Sequence, residues 1–392
     1  MLDKLIFSFL ILYAFSSTLS VAAASVGLYC ALLLGIISYI RKPFKITFDK
    51  GMLYAIVIFM FTYSLSLINS YNTTNTIQTL LRLFHLLFPM FIIPFFIKER
   101  RQIYTLIFVM FASMGISDLI VIWRGLLGNF RATAFVHPIH FGGFIIQILP
   151  FLLLMGLQDK TLTKKVRYGL LFLTFLSMIA LLFNGTRGAW LAVPVCLVLY
   201  GLIYLRKKPK LVLSLILVFC MLGSMIYFVP AIENRFNSIG DLKANSERLL
   251  LWQSAIHMFL DHPLTGIGAG NFKQVYQKQY ISPLAKEPGL MHAHNDYLHS
   301  LAETGIIGFL GFITLFGYLL YFMVKHYKKD SNLWALIGFL VIINFLVQGL
   351  TEYNFSAAVL IRLFWFEMGL VMAGLSSSSK NVLDSNNANE VD

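Results

Sequence analysis

The sequence predicts an all-α polytopic membrane protein. Of its 392 residues, 58% are hydrophobic and 12% are charged, and the mean hydropathy is +0.75. Soluble domains carry about 25% charged residues. Apolar runs long enough to cross the hydrocarbon core of a bilayer recur along the whole chain. Together these observations exclude a soluble globular fold.

The apolar runs predict about twelve transmembrane helices. The predicted spans are residues 5–21, 23–40, 52–69, 79–97, 102–123, 140–157, 168–183, 189–205, 211–229, 300–324, 332–350 and 358–374. Helices 1–9 thus occupy residues 1–229 and helices 10–12 occupy residues 300–374, with one large loop, residues 230–299, between helices 9 and 10. Residues 375–392, rich in Ser, Asn and Asp, predict a disordered tail.

Lysine and arginine set the expected orientation, because they concentrate in cytoplasmic loops. The basic connections contain Arg41, Lys42, Lys45 and Lys50, then Lys98, Arg100 and Arg101, then Lys160, Lys164, Lys165 and Arg167, then Arg206, Lys207, Lys208 and Lys210, and finally Lys325, Lys328 and Lys329. We therefore expect cytoplasmic termini and an external 230–299 loop. The net charge of +13 reflects this pattern and membrane lipids as partners, and gives no evidence for nucleic acid.

The first apolar run resembles a cleavable signal peptide, because residues 21–25 read Val-Ala-Ala-Ala-Ser. Its basic region is weak, since Lys4 stands beside Asp3, and a second apolar run follows at once. We therefore expect a retained span. The cysteines Cys30, Cys196 and Cys220 all lie in apolar spans and imply no disulfide framework.

The external loop predicts an amphipathic helix that lies on the membrane. Asn245 or Ser246 can cap a helix that begins at Glu247. Apolar residues recur at helical spacing on one face, namely Leu249, Trp252, Ile256 and Phe259. Asp261-His262-Pro263 ends the helix. Arg248 then lies in the first turn, at the depth of a lipid phosphate.

A glycine-rich segment follows, Gly266-Ile267-Gly268-Ala269-Gly270-Asn271-Phe272. A dinucleotide fingerprint needs a preceding strand and a following helix, which these flanks do not predict. We expect a tight turn that brings backbone close to a ligand or to the helix bundle. The sequence has no Asp-x-Asp pair, which argues against metal-dependent use of nucleotide sugars.

Residues that could bind a ligand or transfer a proton lie in the predicted external segments. His292, His294 and His299 precede the tenth span, and imidazole accepts protons near neutral pH. These histidines could alternatively bind zinc, although carboxylate and cysteine partners are sparse.

Ionisable groups at membrane depth usually face a cavity or a partner. The external basic residues are Arg82, His85, Arg124, Arg131, His137, His140, Arg187 and Arg362. Each alone can be a snorkelling anchor or half of an internal ion pair, for example with Asp118, Glu303, Glu352 or Glu367. Together they favour an anionic ligand, because guanidinium matches phosphate geometry.

Four motifs occur in order around this loop. They are Arg187-Gly188-Ala189-Trp190, Arg248-Leu249-x-x-Trp252, His262-Pro263-Leu264-x-Gly266-x-Gly268-x-Gly270-Asn271-Phe272, and His292-x-His294-Asn295-x-Tyr297-Leu298 with Glu303-Thr304-Gly305. Over residues 185–310 the chain resembles the O-antigen ligase/O-antigen polymerase superfamily of bacterial envelope glycosyltransferases. The segment 131–143, with His137-Pro138, is also similar to the family.

The resemblance implies a polysaccharide donor on undecaprenyl diphosphate and no cofactor, neither nucleotide nor metal. By motif position, Arg187 and Arg248 would hold the diphosphate and His294 would serve the acceptor. The expected substrate-binding residues are Arg82, Arg131, His137, His292, Asn295 and Glu303, with Asn295 or Glu303 orienting His294. The protein would be multi-pass in the bacterial inner membrane, with its active site facing the periplasm.

This assignment agrees with elementary chemistry. Fixed guanidinium groups can neutralise a departing diphosphate without a metal. A sugar hydroxyl is a weak nucleophile unless a base takes its proton, which typically contributes ~10²–10⁴-fold. Attack opposite the leaving group would invert the anomeric configuration.

The expected activity is that of an O-antigen ligase, which transfers the polymer to a lipid A–core sugar. The alternatives within the family are a polymerase that joins lipid-linked repeats and an oligosaccharyltransferase that modifies protein hydroxyls. A transporter is the main non-enzyme alternative. Transporters usually place a long loop between two six-span halves and ionisable groups near mid-membrane, and neither is predicted here.

Overall fold

The computed structural model describes residues 2–43, 48–204, 223, 229–241, 243, 245–287 and 289–389. Within these residues the regular structure is helical and contains no strand. The helices are α1 Leu2–Ser16, α2 Val21–Arg41, α3 Lys50–Ser64, α4 Thr73–Leu86, α5 Phe88–Phe96, α6 Arg100–Leu126, α7 Pro138–Gln158, α8 Lys164–Asn184, α9 Arg187–Tyr204, α10 Pro230–Asn237, α11 Ser246–Asp261, α12 Phe272–Val275, α13 Asp296–Asp330, α14 Leu333–Gln348 and α15 Ala358–Asn389.

Eight helical segments in the described part of the chain are long and apolar enough to cross a membrane. Two shorter apolar helices, Arg187–Ile203 and Leu333–Gln348, accompany them. The protein is therefore a multi-pass membrane protein, as predicted. The predicted span 211–229 falls almost entirely outside the described residues, so the total of about twelve spans stays a prediction.

Local sequence explains where these helices begin. Side chains of Ser20, Asp49, Asn72, Thr163 and Asn332 each accept a backbone N–H in the first turn of α2, α3, α4, α8 and α14. Such caps satisfy donors that have no partner within the helix. The predicted fourth span is divided into α4 and α5, with a proline in the first turn of α5.

The core of the bundle is formed by α7 and α15, whose apolar windows are each 89% buried. Both are apolar over most of their circumference, as expected for helices surrounded by others, with Gln147 of α7 and Arg362 and Glu367 of α15 as buried exceptions. Helix α13 packs along α3, and α14 contacts both α7 and α9. Leu33, Ile40 and Tyr54 are exposed on α2 and α3, which is the surface expected to face lipid.

Two parts of the chain can be compared with expectation. Helix α11 runs from Ser246 to Asp261, within one residue of the predicted start at Glu247, and it packs on α13. Leu251, Ala255 and Met258 are buried, while Leu249 and Ile256 of the predicted apolar face are exposed, and the contact of that face with the membrane stays a prediction. Helix α15 extends to Asn389, into the tail of residues 375–392, and the disorder of this tail stays a prediction.

Candidate active site

The glycine-rich turn packs into a break in α13. Gly305 interrupts this helix with φ 63° and ψ −169°, and the backbone of residues 263–268 inserts at the gap. Four N–H···O bonds of 2.8–3.2 Å join Ile306 to Pro263, Ile307 to Leu264, Ile267 to Ala302 and Gly268 to Glu303. Non-helical backbone is tolerated at membrane depth only where protein satisfies its polar groups, and these bonds do so. The turn therefore approaches the bundle, one of the two predicted possibilities.

Glu303 fixes the same turn. Its buried carboxylate accepts the backbone N–H of Gly270 at 2.8 Å and of Phe272 at 3.0 Å. The Nε2 atom of His299 lies 3.2 Å from one of its oxygens. The expectation that Glu303 orients His294 is therefore wrong, because its oxygens are occupied by the turn and by His299.

Asn295 and Asp296 form the corner that holds His294. Asn295 caps α13 by accepting two backbone N–H groups, and its amide donates to the carbonyl of Leu350 at 2.9 Å. Asp296 accepts the backbone N–H groups of residues 354 and 355 at 2.9 and 3.0 Å. His294 itself has φ 47°, in the left-handed region. Asn295 thus acts through the backbone, and both side chains fasten the α14–α15 loop beside His294.

Glu352 lies in that loop and joins two of the predicted residues. One carboxylate oxygen accepts from Arg248 at 2.7 Å, and the other lies 3.3 Å from Nδ1 of His294. Burial raises the pKa of Glu352, but the His294 hydrogen bond and the Arg248 and His294 charges outweigh this and lower it below the ordinary value. The pairing on Nδ1 leaves Nε2 of His294 as the nitrogen available for proton transfer.

Four arginines form a cationic cluster around Glu352 and His294. They are Arg131, Arg187, Arg235 and Arg248. Buried Arg187 donates to the carbonyl of Ser238 at 2.9 Å, and half-buried Arg235 donates to the carbonyl of Gly185 at 3.1 Å. Burial and then the charges of Arg187, Arg131 and Arg248 lower the pKa of Arg235 to about 10. Glu352 opposes these charges but is a single carboxylate, so the cluster has a net positive charge that suits an anion.

The corner Asn184-Gly185-Thr186 brings this cluster together. The Asn184 amide donates to the carbonyls of Ala132 and Pro138, both at 3.0 Å, so the loop that contains Arg131 and His137 is tied to the start of α9. His137 caps α7 through Nδ1. Burial and then the charge of Arg131 lower the pKa of His137, while Glu352 opposes this shift.

Of the remaining predicted residues, His292 contacts His294 and Arg82 lies elsewhere. His292 is in edge contact with His294 at 4.2 Å between ring centroids and stacks on Tyr353 at 4.8 Å. Burial and then the charge of His294 lower the pKa of His292 well below its ordinary value. Arg82 lies apart from the arginine cluster, on α4, beside a pocket that Tyr353 also lines. Within the described residues, no group of three or more His, Cys, Asp or Glu side chains has the geometry to hold a metal ion.

Two contributors to the site were not expected. Arg235 lies in a segment with no recognisable motif. For Glu352 the sequence predicts only an internal ion pair with one of the external basic residues. The run Thr351-Glu352-Tyr353-Asn354 was the available signal, because these polar residues lie between two apolar spans.

Comparison with known proteins finds a family model and several relatives that match this chain. A family model described as O-antigen ligase matches residues 172–313, from α8 to the first turns of α13. The match includes Arg187, Arg235, Arg248 and His294 and ends before Glu352. It confirms the resemblance to the O-antigen ligase superfamily that the four motifs predict.

Individual relatives extend the comparison. An uncharacterised protein of Haemophilus influenzae is 22% identical over 85% of this chain and 88% of its own length. The ComP-specific O-oligosaccharyltransferase of Acinetobacter baylyi is 25% identical over 58% of this chain and 41% of its own. A putative polysaccharide ligase of Rickettsia conorii is 23% identical over 43% of this chain and 42% of its own. The chain thus spans less than half of the two relatives whose names describe an activity, and these support a glycosyl-transferring enzyme.

Proposed function

We propose that this protein is an O-antigen ligase that transfers a polysaccharide from undecaprenyl diphosphate to a sugar hydroxyl of lipid A–core. The observation that carries the proposal is Glu352, which contacts both Arg248 and His294. A candidate base and a candidate diphosphate ligand thereby lie on either side of one carboxylate. The site would face the periplasm from the inner membrane, with both chain termini in the cytoplasm.

The proposed reaction uses the residues as follows. The diphosphate of the donor binds Arg187, Arg235 and Arg248, which stabilise its charge as the bond to the anomeric carbon breaks. The acceptor oxygen bonds to that carbon from the opposite face, and its proton passes to Nε2 of His294. Glu352 stabilises the imidazolium that results. The products are the inverted glycoside and free undecaprenyl diphosphate.

Two related activities use the same donor and differ in the acceptor. A polymerase would extend another lipid-linked repeat. An O-oligosaccharyltransferase, the activity for which the Acinetobacter relative is named, would modify a protein. We favour the ligase because the matching family model is described as O-antigen ligase and the Rickettsia conorii relative is named a putative polysaccharide ligase.

A deletion strain distinguishes these acceptors through lipopolysaccharide gels and lipid extracts. Loss of a ligase leaves bare lipid A–core and long polymer on undecaprenyl diphosphate. Loss of a polymerase leaves core capped by a single repeat, and that band would overturn the choice of acceptor. Unchanged lipopolysaccharide with loss of a glycosylated protein would assign the acceptor to a protein instead.

A further inference from the structure

A second polar pocket opens on the external side of the protein, apart from the arginine cluster. It has a volume of about 260 Å³, and its walls come from α4, the glycine-rich turn and the α14–α15 loop. Among its lining residues are Gln78, Arg82, Lys273, His299, Glu303 and Tyr353. Small-molecule pockets usually measure about 300–1,000 Å³, so this one has room for about one sugar ring.

In this pocket the acidic side chain has hydrogen-bond partners, whereas the two basic side chains have none among the described residues. Glu303 is already bound by two backbone N–H groups of the turn and lies 3.2 Å from His299. Within the described part of the chain, Arg82 and Lys273 have neither a hydrogen-bond partner nor an ion-pair partner. Both cations border the same cavity from different elements, α4 and the glycine-rich turn. The pocket therefore offers two free positive charges to an anionic ligand.

Tyr353 connects this pocket to His294. It follows Glu352 directly in the chain, so one loop contributes both the carboxylate paired with His294 and a ring that lines the pocket. Its ring stacks on His292 at 4.8 Å, and His292 contacts His294 at 4.2 Å. The Tyr353 and His294 rings are therefore within about 9 Å of each other. His299 also contacts the Tyr353 ring, at 4.1 Å between centroids, so a sugar in the pocket meets Tyr353 and His299 together, one aromatic layer away from the proposed base.

We propose that this pocket binds an acidic sugar of the acceptor, bearing a phosphate or a carboxylate, through Arg82 and Lys273. Aromatic rings and amide or hydroxyl side chains are suited to sugar faces and hydroxyls, and the two cations supply selection for charge. The identification of the sugar with the acceptor rests on the proposed function. The binding of an acidic sugar does not, and it can be measured without any transfer reaction.

The test measures sugar binding to the purified full chain in phosphatidylcholine nanodiscs by saturation-transfer NMR. The sugar probes are glucose, glucose 6-phosphate and glucuronic acid. Inorganic phosphate, which has no carbon-bound protons, is followed by the broadening of its phosphorus-31 signal. Both acidic sugars are expected to bind more tightly than glucose. Arg82→Ala and Lys273→Ala should each weaken their binding at least tenfold, while Lys273→Arg retains it. Adding phosphatidylglycerol should leave binding unchanged, because a sugar and not a lipid headgroup occupies the pocket.

Two controls locate the binding. Lys278→Ala removes another exposed lysine of the same segment, one that donates to Tyr71, and should have no effect. Arg187→Ala disables the arginine cluster and should leave acidic-sugar binding intact while weakening inorganic phosphate. Equal affinity for glucose and glucose 6-phosphate, full binding in Arg82→Ala and Lys273→Ala, loss of binding in Arg187→Ala, or displacement by phosphatidylglycerol would each overturn the proposal. Absence of transfer from a lipid diphosphate would instead refute the proposed function and leave this binding result standing.

Discussion

Glu352 and His294 are 58 residues apart in the chain, yet a carboxylate oxygen of Glu352 lies 3.3 Å from Nδ1 of His294. The second oxygen of Glu352 accepts from Arg248 at 2.7 Å. The proposed base and one of the proposed diphosphate ligands therefore share one buried counterion. Glu352 would therefore interact electrostatically both with the proton that His294 accepts and with the charge that develops on a bound diphosphate.

The first prediction separates binding from turnover at Glu352. Glu352→Gln removes the charge that stabilises protonated His294, and transfer should fall by about 100-fold, within the usual ~10²–10⁴-fold range of general-base catalysis. Removing this carboxylate also raises the net positive charge of the arginine cluster. Undecaprenyl diphosphate should therefore bind at least as tightly as to the wild type. Weaker binding together with unchanged turnover would contradict this role.

The second prediction concerns the arginines. Arg187→Lys and Arg248→Lys should both weaken binding of undecaprenyl diphosphate, because an ammonium group cannot reproduce the two-pronged contact of guanidinium with phosphate. Arg235→Ala should weaken it as well. Arg101→Lys, at the exposed start of α6, is the matched control and should bind normally. Unchanged affinity in the Arg187 and Arg248 variants would remove both residues from the donor site.

The third prediction is a pH effect on stability from His292. Burial and then the charge of His294 lower the pKa of His292, so the unfolded chain binds more protons than the folded protein at acidic pH. Stability is therefore present above the unfolded pKa of about 6.5 and is lost as pH falls below it. At pH 5 this loss is on the order of 2 kcal/mol.

Thermal unfolding in detergent at pH 7 and pH 5 measures this effect. The wild type should lose melting temperature on acidification, and His292→Phe should lose distinctly less. His257→Phe, at an exposed position on α11, should behave like the wild type. An equal acid shift in His292→Phe and wild type would show that His292 is not the group responsible.

The fourth prediction tests the turn that enters the break in α13. Gly266 has φ 68°, and a Cβ atom there would lie 2.4 Å from the carbonyl carbon of Glu303. Gly266→Ala should therefore destabilise the protein by about 1–3 kcal/mol and reduce transfer. Gly240→Ala meets no atom within 4 Å and should be neutral in both respects. Wild-type stability of Gly266→Ala would contradict the close packing of turn and helix.

The sequence was sufficient for features that depend on local patterns. The length and polarity of apolar runs located the helices, and the Asp261-His262-Pro263 sequence correctly marked the end of α11. Periodicity did not specify which side of that helix contacts protein, because Leu249 and Leu251 are both apolar and the packing on α13 decides which of them is buried. The apolar pattern of one helix does not specify which other helix packs against it.

The site was predictable where its residues lie in motifs and not where they come from distant segments. His294, Arg187 and Arg248 each lie in a motif, and the structure places them near one another around Glu352, while their catalytic roles stay predictions. Glu352 joins them only because Asn295 and Asp296 hold its loop through backbone hydrogen bonds. Such contacts join residues more than 50 positions apart, and no local pattern specifies them.

Reconstituted transfer tests the central claim most directly. The assay supplies purified protein with an undecaprenyl diphosphate-linked saccharide and lipid A–core in EDTA, and follows both the new glycolipid and the released lipid diphosphate. The wild type and the exposed-histidine control His257→Ala should form both products. His294→Ala should bind donor normally and form neither. Product formation by a well-folded His294→Ala protein, or wild-type activity that requires added zinc or magnesium, would contradict a metal-independent transfer with His294 as the base.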